Sequence, residues 1–419
     1  MLGFDLCGFQ ILSDLKKLSK NVRVICVAEL LNDIGASIHR PTLPVLYNML
    51  GATPLQYGVI EGVSSFFGMM GAAPAGELSD RVGRRRLYYV GHATMGLLRF
   101  SWGLISSFWL LFPLRWLYSL GMAVRYAVRD PLLAESSTPD TRGLAYAAYE
   151  LADCIGAFLG PFLPILVLRY VGQNIDVIRK LFFLAATPNL LSALLIVFLI
   201  RETVKIDKPV EEKMNFSTKL RLITGNRNLL RFMLITSTST LFAMTVDLEI
   251  LYITYGPMKA TALITTLMYI FWTATTLLAA LPAGRIVDKK GRRFAITLAF
   301  TFHAISMMII ILYHFVLRSI FIVPLAFASL GFYDSFLSVS SKTFVADNAS
   351  VENRGMIMGI YTTLEGICKR SLAPIIAGFM FSTFSSVTPF IVGLSASLAT
   401  IVLLMKMISE LPSAGAKKY

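Results

Sequence analysis

The chain has 419 residues, 55 % of them hydrophobic and 15 % charged, with a net charge of +14 and a mean hydropathy of +0.66. Soluble domains carry roughly 25 % charged residues, so soluble enzymes and nucleic-acid binders are excluded and most of the chain belongs in lipid. The deficit of charge gathers into apolar runs of roughly 20 residues, the length that crosses a hydrocarbon core of about 30 Å.

In chain order, residues 1–22 form a cytoplasmic N-terminal segment that lacks the basic start and small-residue cleavage site of a signal peptide. Leu6, Phe9, Leu12 and Leu15 recur at helical spacing, which suits a short helix lying on the membrane surface; a floppy tail is the other reading. Six crossings are predicted at 23–48, 55–78, 87–106, 109–130, 143–168 and 180–200. After a charged linker at 201–228, six more follow at 229–254, 260–283, 294–316, 319–343, 355–381 and 387–408, with a cytoplasmic tail at 409–419. Of the 39 Lys and Arg, counting those within two residues of a crossing's end to the adjoining loop, 28 fall on the side that holds both termini, 5 on the other and 6 within crossings, which places both termini in the cytoplasm. Cys7, Cys26, Cys154 and Cys368 show no paired spacing, and His39, His92, His303 and His314 form no ligand cluster. Neither a disulfide nor a metal is expected.

Charges inside crossings are expensive in hydrocarbon and face the bundle interior; nine acids and six bases lie there. Crossing 1 carries Glu29 and Asp33, four apart on one face, with Asp33 roughly 15 Å deep at a rise of about 1.5 Å per residue. Two such acids repel, so a proton on one relieves the pair, which suits a proton carrier; alternatively Arg40 neutralises Asp33. Pro41 and Pro44 bend the outer end. Arg99 in crossing 3 must find a local acid, while Arg115 and Arg125 share a face of crossing 4, Arg125 being a partner for Asp33, Asp153 or an anionic solute. Crossing 5 repeats the acid pair as Glu150 and Asp153, then carries Gly156, Gly160 and Pro161, a small-xxx-small pair that admits a close neighbour and a proline that bends the chain. Asp334 lies within crossing 10, and Glu365 in crossing 11 precedes Lys369 by four residues, the favourable order for an intrahelical ion pair. Glu61, Asp247 and Glu249 fall near the outer surface by depth.

Two cytoplasmic motifs recur. GELSDRVGRR at 76–85 returns as GRIVDKKGRR at 284–293, and AESSTPDTRG at 134–143 returns as ADNASVENRG at 346–355, with offsets of 208 and 212 residues. The chain is therefore expected to be two related six-helix bundles, 23–200 and 229–408. Gly76, Leu78, Ser79, Asp80, Arg81, Gly83, Arg84 and Arg85, with the degenerate copy Gly284, Asp288, Gly291 and Arg292, resemble the signature loop of the major facilitator superfamily. Arg115, Gly121, Arg125, Arg129, Asp130 and Pro131, followed by Arg142 and Gly143, resemble prokaryotic members grouped with drug:proton antiporters. The resemblance spans the chain and implies an all-α membrane protein of twelve transmembrane helices in two pseudo-symmetric bundles, present as a monomer. It also implies that Asp80 latches against the start of crossing 11, with Arg142 and Arg354 in the second cytoplasmic motif of each half; a pure topology signal is the other reading of the loop. The Gly156, Gly160, Pro161 stretch resembles an antiporter signature in part, Leu163 and Pro164 standing where that signature has glycines; helix packing alone is the alternative.

No G-x-x-x-x-G-K-[ST] loop and no nucleophile and base pair stand in the loops, so neither a primary pump, an enzyme nor a cofactor is expected. The leading reading is a secondary active transporter of the cell (inner) membrane, exporting drugs or metabolites in exchange for protons. Its partners are then a small-molecule substrate, protons and membrane lipids, with no nucleic acid. Proton-coupled uptake or exchange of a polar or anionic metabolite is the alternative, favoured by Arg40, Arg115 and Arg125. A lipid flippase and a non-transporting receptor or scaffold stand behind these. The excess of intramembrane acids over bases leans towards a substrate with a cationic centre.

Overall fold

The computed structural model describes residues 17–138, 140–203, 225–242, 246–349 and 353–408, and every regular element among them is helical. In lipid each backbone N–H and C=O must be satisfied within the segment, which selects helices for apolar runs of this length. We number the rods in chain order. They are α1 (Lys20–His39, resumed as Leu43–Met49), α2 (Pro54–Val82), α3 (Arg84–Trp102), α4 (Leu111–Glu135), α5 (Arg142–Leu159, resumed as Phe162–Tyr170) and α6 (Ile175–Leu199). There follow α7 (Arg227–Phe242 and Val246–Tyr255), α8 (Ala262–Lys290), α9 (Arg292–Leu312), α10 (Val323–Asn348), α11 (Arg354–Gly366, a π turn Ile367–Leu372, then Ala373–Thr383) and α12 (Thr388–Met407). Six of them (α5, α6, α8, α9, α10 and α12) are long and apolar enough by themselves to cross a membrane. Of the others, α1, α3, α4 and α11 carry interior charges, α2 is rich in Gly and Ser, and α7 is described in two pieces.

Several helices outrun the predicted crossings. α2 continues to Val82 and α3 starts at Arg84, so the loop between them is Gly83 alone, at φ +105; Gly291, at φ +88, does the same between α8 and α9. A left-handed φ is open to glycine without steric cost, and one such residue suffices to reverse the chain. α6 begins at Ile175 rather than at the predicted 180, so Arg179 and Lys180 lie within its first turns. Hydropathy marks only the hydrocarbon, whereas the helices run on into the headgroup zone, where charged side chains reach water. The surface helix expected within 1–22, with Leu6, Phe9, Leu12 and Leu15, lies outside the described residues apart from its end, as do 204–224 of the linker and the tail from 409.

Contacts divide the described residues into two compact units, one drawn from Met1–Gly51 and Ser64–Pro209 and the other from Ala52–Val63 and Val210–Tyr419. In unit 1, α3 packs on α4 and α6, and α1 on α5 and α6; in unit 2, α9 packs on α10 and α12. The repeat extends to single bonds. His92 Nδ1 of α3 lies 2.7 Å from Ser192 Oγ of α6, and His303 Nδ1 of α9 lies 2.7 Å from Ser397 Oγ of α12. Arg85 donates to the Val197 carbonyl near the end of α6, and Arg293 to the Ile408 carbonyl just after α12.

Candidate functional site

The site in unit 1 begins with the approach of α5 to α1. A Cβ on Gly156 would stand 2.5 Å from Leu30 O and 3.1 Å from Asp33 Cβ; one on Gly160 would stand 2.6 Å from Ile34 O and 2.7 Å from Ser37 Cβ. Only glycine permits backbones this close. Just beyond, α5 breaks at Gly160 and Pro161. Asp153, one turn before Gly156, is thereby brought to Asp33, and one oxygen each from Glu29, Asp33 and Asp153 lie within 4.8 Å of one another. Asp33 and Asp153 therefore face each other across no more than 4.8 Å. Asp33 is 6 % exposed and Asp153 half-buried. Asn189 of α6 donates to Asn32 Oδ1 at 3.0 Å and Asn32 to Asp33 Oδ1 at 3.3 Å, which orients the carboxyl. Its Oδ2 has no hydrogen-bond partner among the described residues.

Glu29 is held differently. It is fully buried, ion-paired with Arg125, accepts from Tyr88 Oη at 2.6 Å and lies 3.7 Å from His92 Nε2. Ser192 donates its hydroxyl proton to Asn189 O at 2.7 Å, so the hydrogen between His92 Nδ1 and Ser192 Oγ belongs to the imidazole, whose Nε2 then faces Glu29. The expected partners of Arg125, Asp33 and Asp153, are thus corrected to Glu29. Depth explains it: Glu29 is nine residues from the start of α1 and Arg125 ten from the end of α4, each about 14–15 Å in, while Asp33 lies a further turn along. Arg125 also stacks on Tyr126 at 4.4 Å, and Arg129 on Tyr149 at 4.4 Å.

Arg99, expected to find an acid, is fully buried and instead donates to Tyr118 Oη at 2.7 Å and Asn32 O at 3.3 Å. Arg115 covers the rings of Trp102 and Tyr118 at 5.3 and 5.2 Å. Arg40 is exposed at the break in α1, and Glu150 is exposed on α5. In unit 2, Lys369 Nζ lies 2.8 Å from Asp334 Oδ1 and Trp272 Nε1 donates to Asp334 Oδ2 at 2.8 Å. The expected pairing of Lys369 with Glu365 is therefore corrected: the π turn Ile367–Leu372 intervenes and rotates Lys369 away from the α-helical i,i+4 position. Glu249, expected near the outer surface, is fully buried; Glu61 is half-buried, and the side chain of Asp247 lies outside the described residues.

At the repeated loop motifs, Asp80 is exposed and pairs with Arg84 at 2.8 Å, within its own unit; Arg84 also reaches Glu135 at 3.1 Å. Both carboxyl oxygens of Glu202 accept from the backbone of α3, at Arg84 N (2.9 Å) and Arg85 N (3.1 Å), where a negative charge gains about 0.3–1 kcal/mol from the helix dipole. Arg81 pairs with Glu77 on the surface. The second copy repeats the bridge as Arg292 to Asp347 at 2.8 Å, with Asp288 exposed; Gly76 and Gly284 have open space where a Cβ would go. Arg142 is exposed on the first turn of α5, and Arg354 donates to Ala346 O at 3.0 Å. Asn32, Tyr88, His92, Asn189, Ser192 and Trp272 escape a search confined to charges. Two of them carry a signal, since His92 and His303 recur 211 residues apart and Ser192 and Ser397 recur 205 apart.

A profile of the Major Facilitator Superfamily matches residues 25–369. The chain is 25 % identical over 378 residues to an uncharacterised MFS-type transporter of Methanocaldococcus jannaschii, covering 89 % of this chain and 91 % of that one. It is 29 % identical over 143 residues to the inner membrane metabolite transport protein YgcS of Escherichia coli, 34 % of this chain and 32 % of that one. Among solved structures, a point variant of the nucleoside transporter NupG superposes with a TM-score of 0.75 at 12 % identity, covering 93 % of this chain and all of that one. A D-xylose–proton symporter superposes with a TM-score of 0.73 at 16 % identity, covering 93 % and 98 %. With the profile covering most of its length, the chain belongs to the major facilitator superfamily: it is an integral multi-pass membrane protein and a secondary transporter of small solutes.

Proposed function

We propose that the protein is a proton-coupled antiporter of the inner membrane that exports a small solute with a cationic centre, as a monomer with both termini in the cytoplasm. Its bundles 23–200 and 229–408 would alternate access, with the Asp80 and Asp288 loops as the cytoplasmic gate. The observation that carries the reading is the Asp33–Asp153 pair: two carboxyls within 4.8 Å, one oxygen buried and unpartnered, and no Lys or Arg at ion-pair distance among the described residues. Arg125, the base expected to pair with them, is engaged on Glu29. Two negative charges within 4.8 Å of each other repel by at least about 3 kcal/mol at an effective dielectric constant near 20. One proton, or one ammonium group of a substrate, removes that repulsion, and each excludes the other. Competition of proton and cation for the same two acids is the physical basis of exchange.

Uptake or exchange of an anionic or polar metabolite is the second reading. It is favoured by the buried Arg99, whose partners are neutral oxygens, beside Arg115 on its aromatic shelf. Proteoliposomes with an imposed pH gradient and matched panels of labelled cations and anions separate the two. We expect cations to be concentrated against their gradient, and Asp33→Asn or Asp153→Asn to exchange them without concentrating them. Uphill transport retained in both variants, or accumulation of anions alone, overturns the proposal.

A further inference from the structure

Unit 2 contains a carboxyl that this reading does not use. Glu249 lies in the second piece of α7, six residues or about 9 Å from its outer end at Tyr255, and is fully buried. Its Oε1 is hydrogen-bonded to Ser306 Oγ of α9, and its Oε2 has no partner among the described residues. Ser306 Oγ also lies 2.9 Å from the Ala326 carbonyl oxygen of α10.

Those two contacts cannot both be served by serine. A hydroxyl has one hydrogen, and a carbonyl oxygen can only accept. If the Ser306 hydrogen goes to Ala326 O, the contact between Ser306 Oγ and Glu249 Oε1 needs a hydrogen from the carboxyl. Burial leads to the same result independently: a fully buried ionised carboxyl without a cation beside it costs several kcal/mol, and no Lys, Arg or His comes within ion-pair distance of Glu249 among the described residues. The titratable groups on the helices around it include Asp247, Tyr252 and Tyr255 on α7, Tyr269 on α8, His303 on α9, and Tyr333 and Asp334 on α10, the side chain of Asp247 lying outside the described residues. Tyr252 is bonded to His314, His303 to Ser397, and Asp334 is paired with Lys369.

We propose that Glu249 is a proton-binding site of the second unit, loaded in this structure as the neutral acid, which donates to Ser306 Oγ while Ser306 donates to Ala326 O. The proton completes a chain that ties α7 to α9 and α10. Without it, two acceptors face a single hydrogen and one link of the three-helix contact is lost. The site is separate from Asp33 and Asp153 and stands whether or not protons drive transport.

Infrared difference spectroscopy on the full chain in liposomes at neutral pH reads the carbonyl stretch of a protonated carboxylic acid directly, identified by its shift in heavy water. We expect one such band to vanish in Glu249→Gln, to persist in Asp33→Asn and Asp153→Asn, and to move in Ser306→Ala, where the acid loses its acceptor. A Glu249→Gln spectrum identical to wild type in this region overturns the proposal. Should Glu249→Gln fail to fold, a Ser306→Ala spectrum with no displaced band overturns it equally. No substrate enters the measurement, so its failure is distinguishable from failure of the transport reading.

Discussion

Replacing Gly156 by alanine tests whether the helix approach, rather than the acids alone, makes the coupling site. The new Cβ would stand 2.5 Å from Leu30 O, where ordinary contact begins at 3.4 Å, so about 0.9 Å must be found. The obstacle is backbone and cannot swing aside, so α5 must draw back from α1, and overpacking of this kind costs about 1–3 kcal/mol. Asp153 sits one turn from Gly156 and moves with it. Starting from 4.8 Å, the Coulomb repulsion between Asp33 and Asp153 changes by only about 0.5 kcal/mol over such a displacement, but a proton held between two carboxyls needs them to close to hydrogen-bond distance, which a shift of nearly 1 Å outward opposes. The expected result is a lowered thermal midpoint of the purified protein together with at least a tenfold loss of proton-driven accumulation, while downhill exchange survives. Gly160→Ala is the matched control. It meets Ile34 O at a similar 2.6 Å but lies two turns from Asp153, so it should lose stability and keep coupling. Wild-type stability and accumulation in Gly156→Ala, or equal uncoupling by Gly160→Ala, would refute the reasoning.

Arg125→Gln strands the buried Glu29 carboxylate and should destabilise the protein by about 3–5 kcal/mol; Glu29→Gln combined with Arg125→Gln should recover most of that, and a double variant as unstable as Arg125→Gln would show that the pair is not the source. Asp80 is 61 % exposed in its pair with Arg84, and exposed pairs contribute about 0–1 kcal/mol. Asp80→Asn should therefore keep its abundance and thermal midpoint but transport more slowly, with altered cysteine labelling of inward and outward states; normal transport with unchanged labelling would leave the loop a topology signal. A cationic ligand at about 100 times its dissociation constant should stabilise the folded protein by about 2.7 kcal/mol. That stabilisation should fall as pH is lowered, because protons take the Asp33–Asp153 pair, and should be lost in Asp33→Asn. Stabilisation by matched anions alone contradicts the cationic assignment.

What the sequence makes legible here, and what it hides, follows from what each signal measures. Apolar runs and the placement of Lys and Arg report lipid and topology. The paired loop motifs report duplication, and the bonds of Arg85 and Arg293, or of His92 and His303, have that duplication in atomic form. Partner choice is another matter. Depth along the helices matches Glu29 to Arg125, each about 14–15 Å in, whereas a midplane criterion points to Asp33 and Asp153. The Lys369 pairing was beyond reach, because i,i+4 arithmetic assumes α geometry and nothing in Ile367–Leu372 announces a π turn. Glu249 shows a third limit: distance along a helix gives depth in the membrane, whereas burial depends on the neighbouring α9 and α10.

The pattern of what repeats and what does not also separates scaffold from site. Bonds found in both units fasten the third helix of each to its fourth and sixth: Arg84 to Glu135 and Arg292 to Asp347, the two histidine–serine contacts, and the two arginines that cap a sixth helix. Most of the charges that differ lie elsewhere, on α1, α4 and α5 in unit 1 and on α7, α10 and α11 in unit 2, Arg99 on α3 being the exception among the third helices. A duplicated bundle can therefore change its intramembrane acids and bases without loosening the contacts that hold each unit together. Unit 1 has used that freedom to set Asp33 beside Asp153 with no base between them, while unit 2 neutralises Asp334 with Lys369 and buries Glu249 against a serine. Two halves built alike thus present unlike electrostatics, and an exchange of proton for cation needs that inequality: were every acid paired, as Asp334 is, neither ion would have a place to bind.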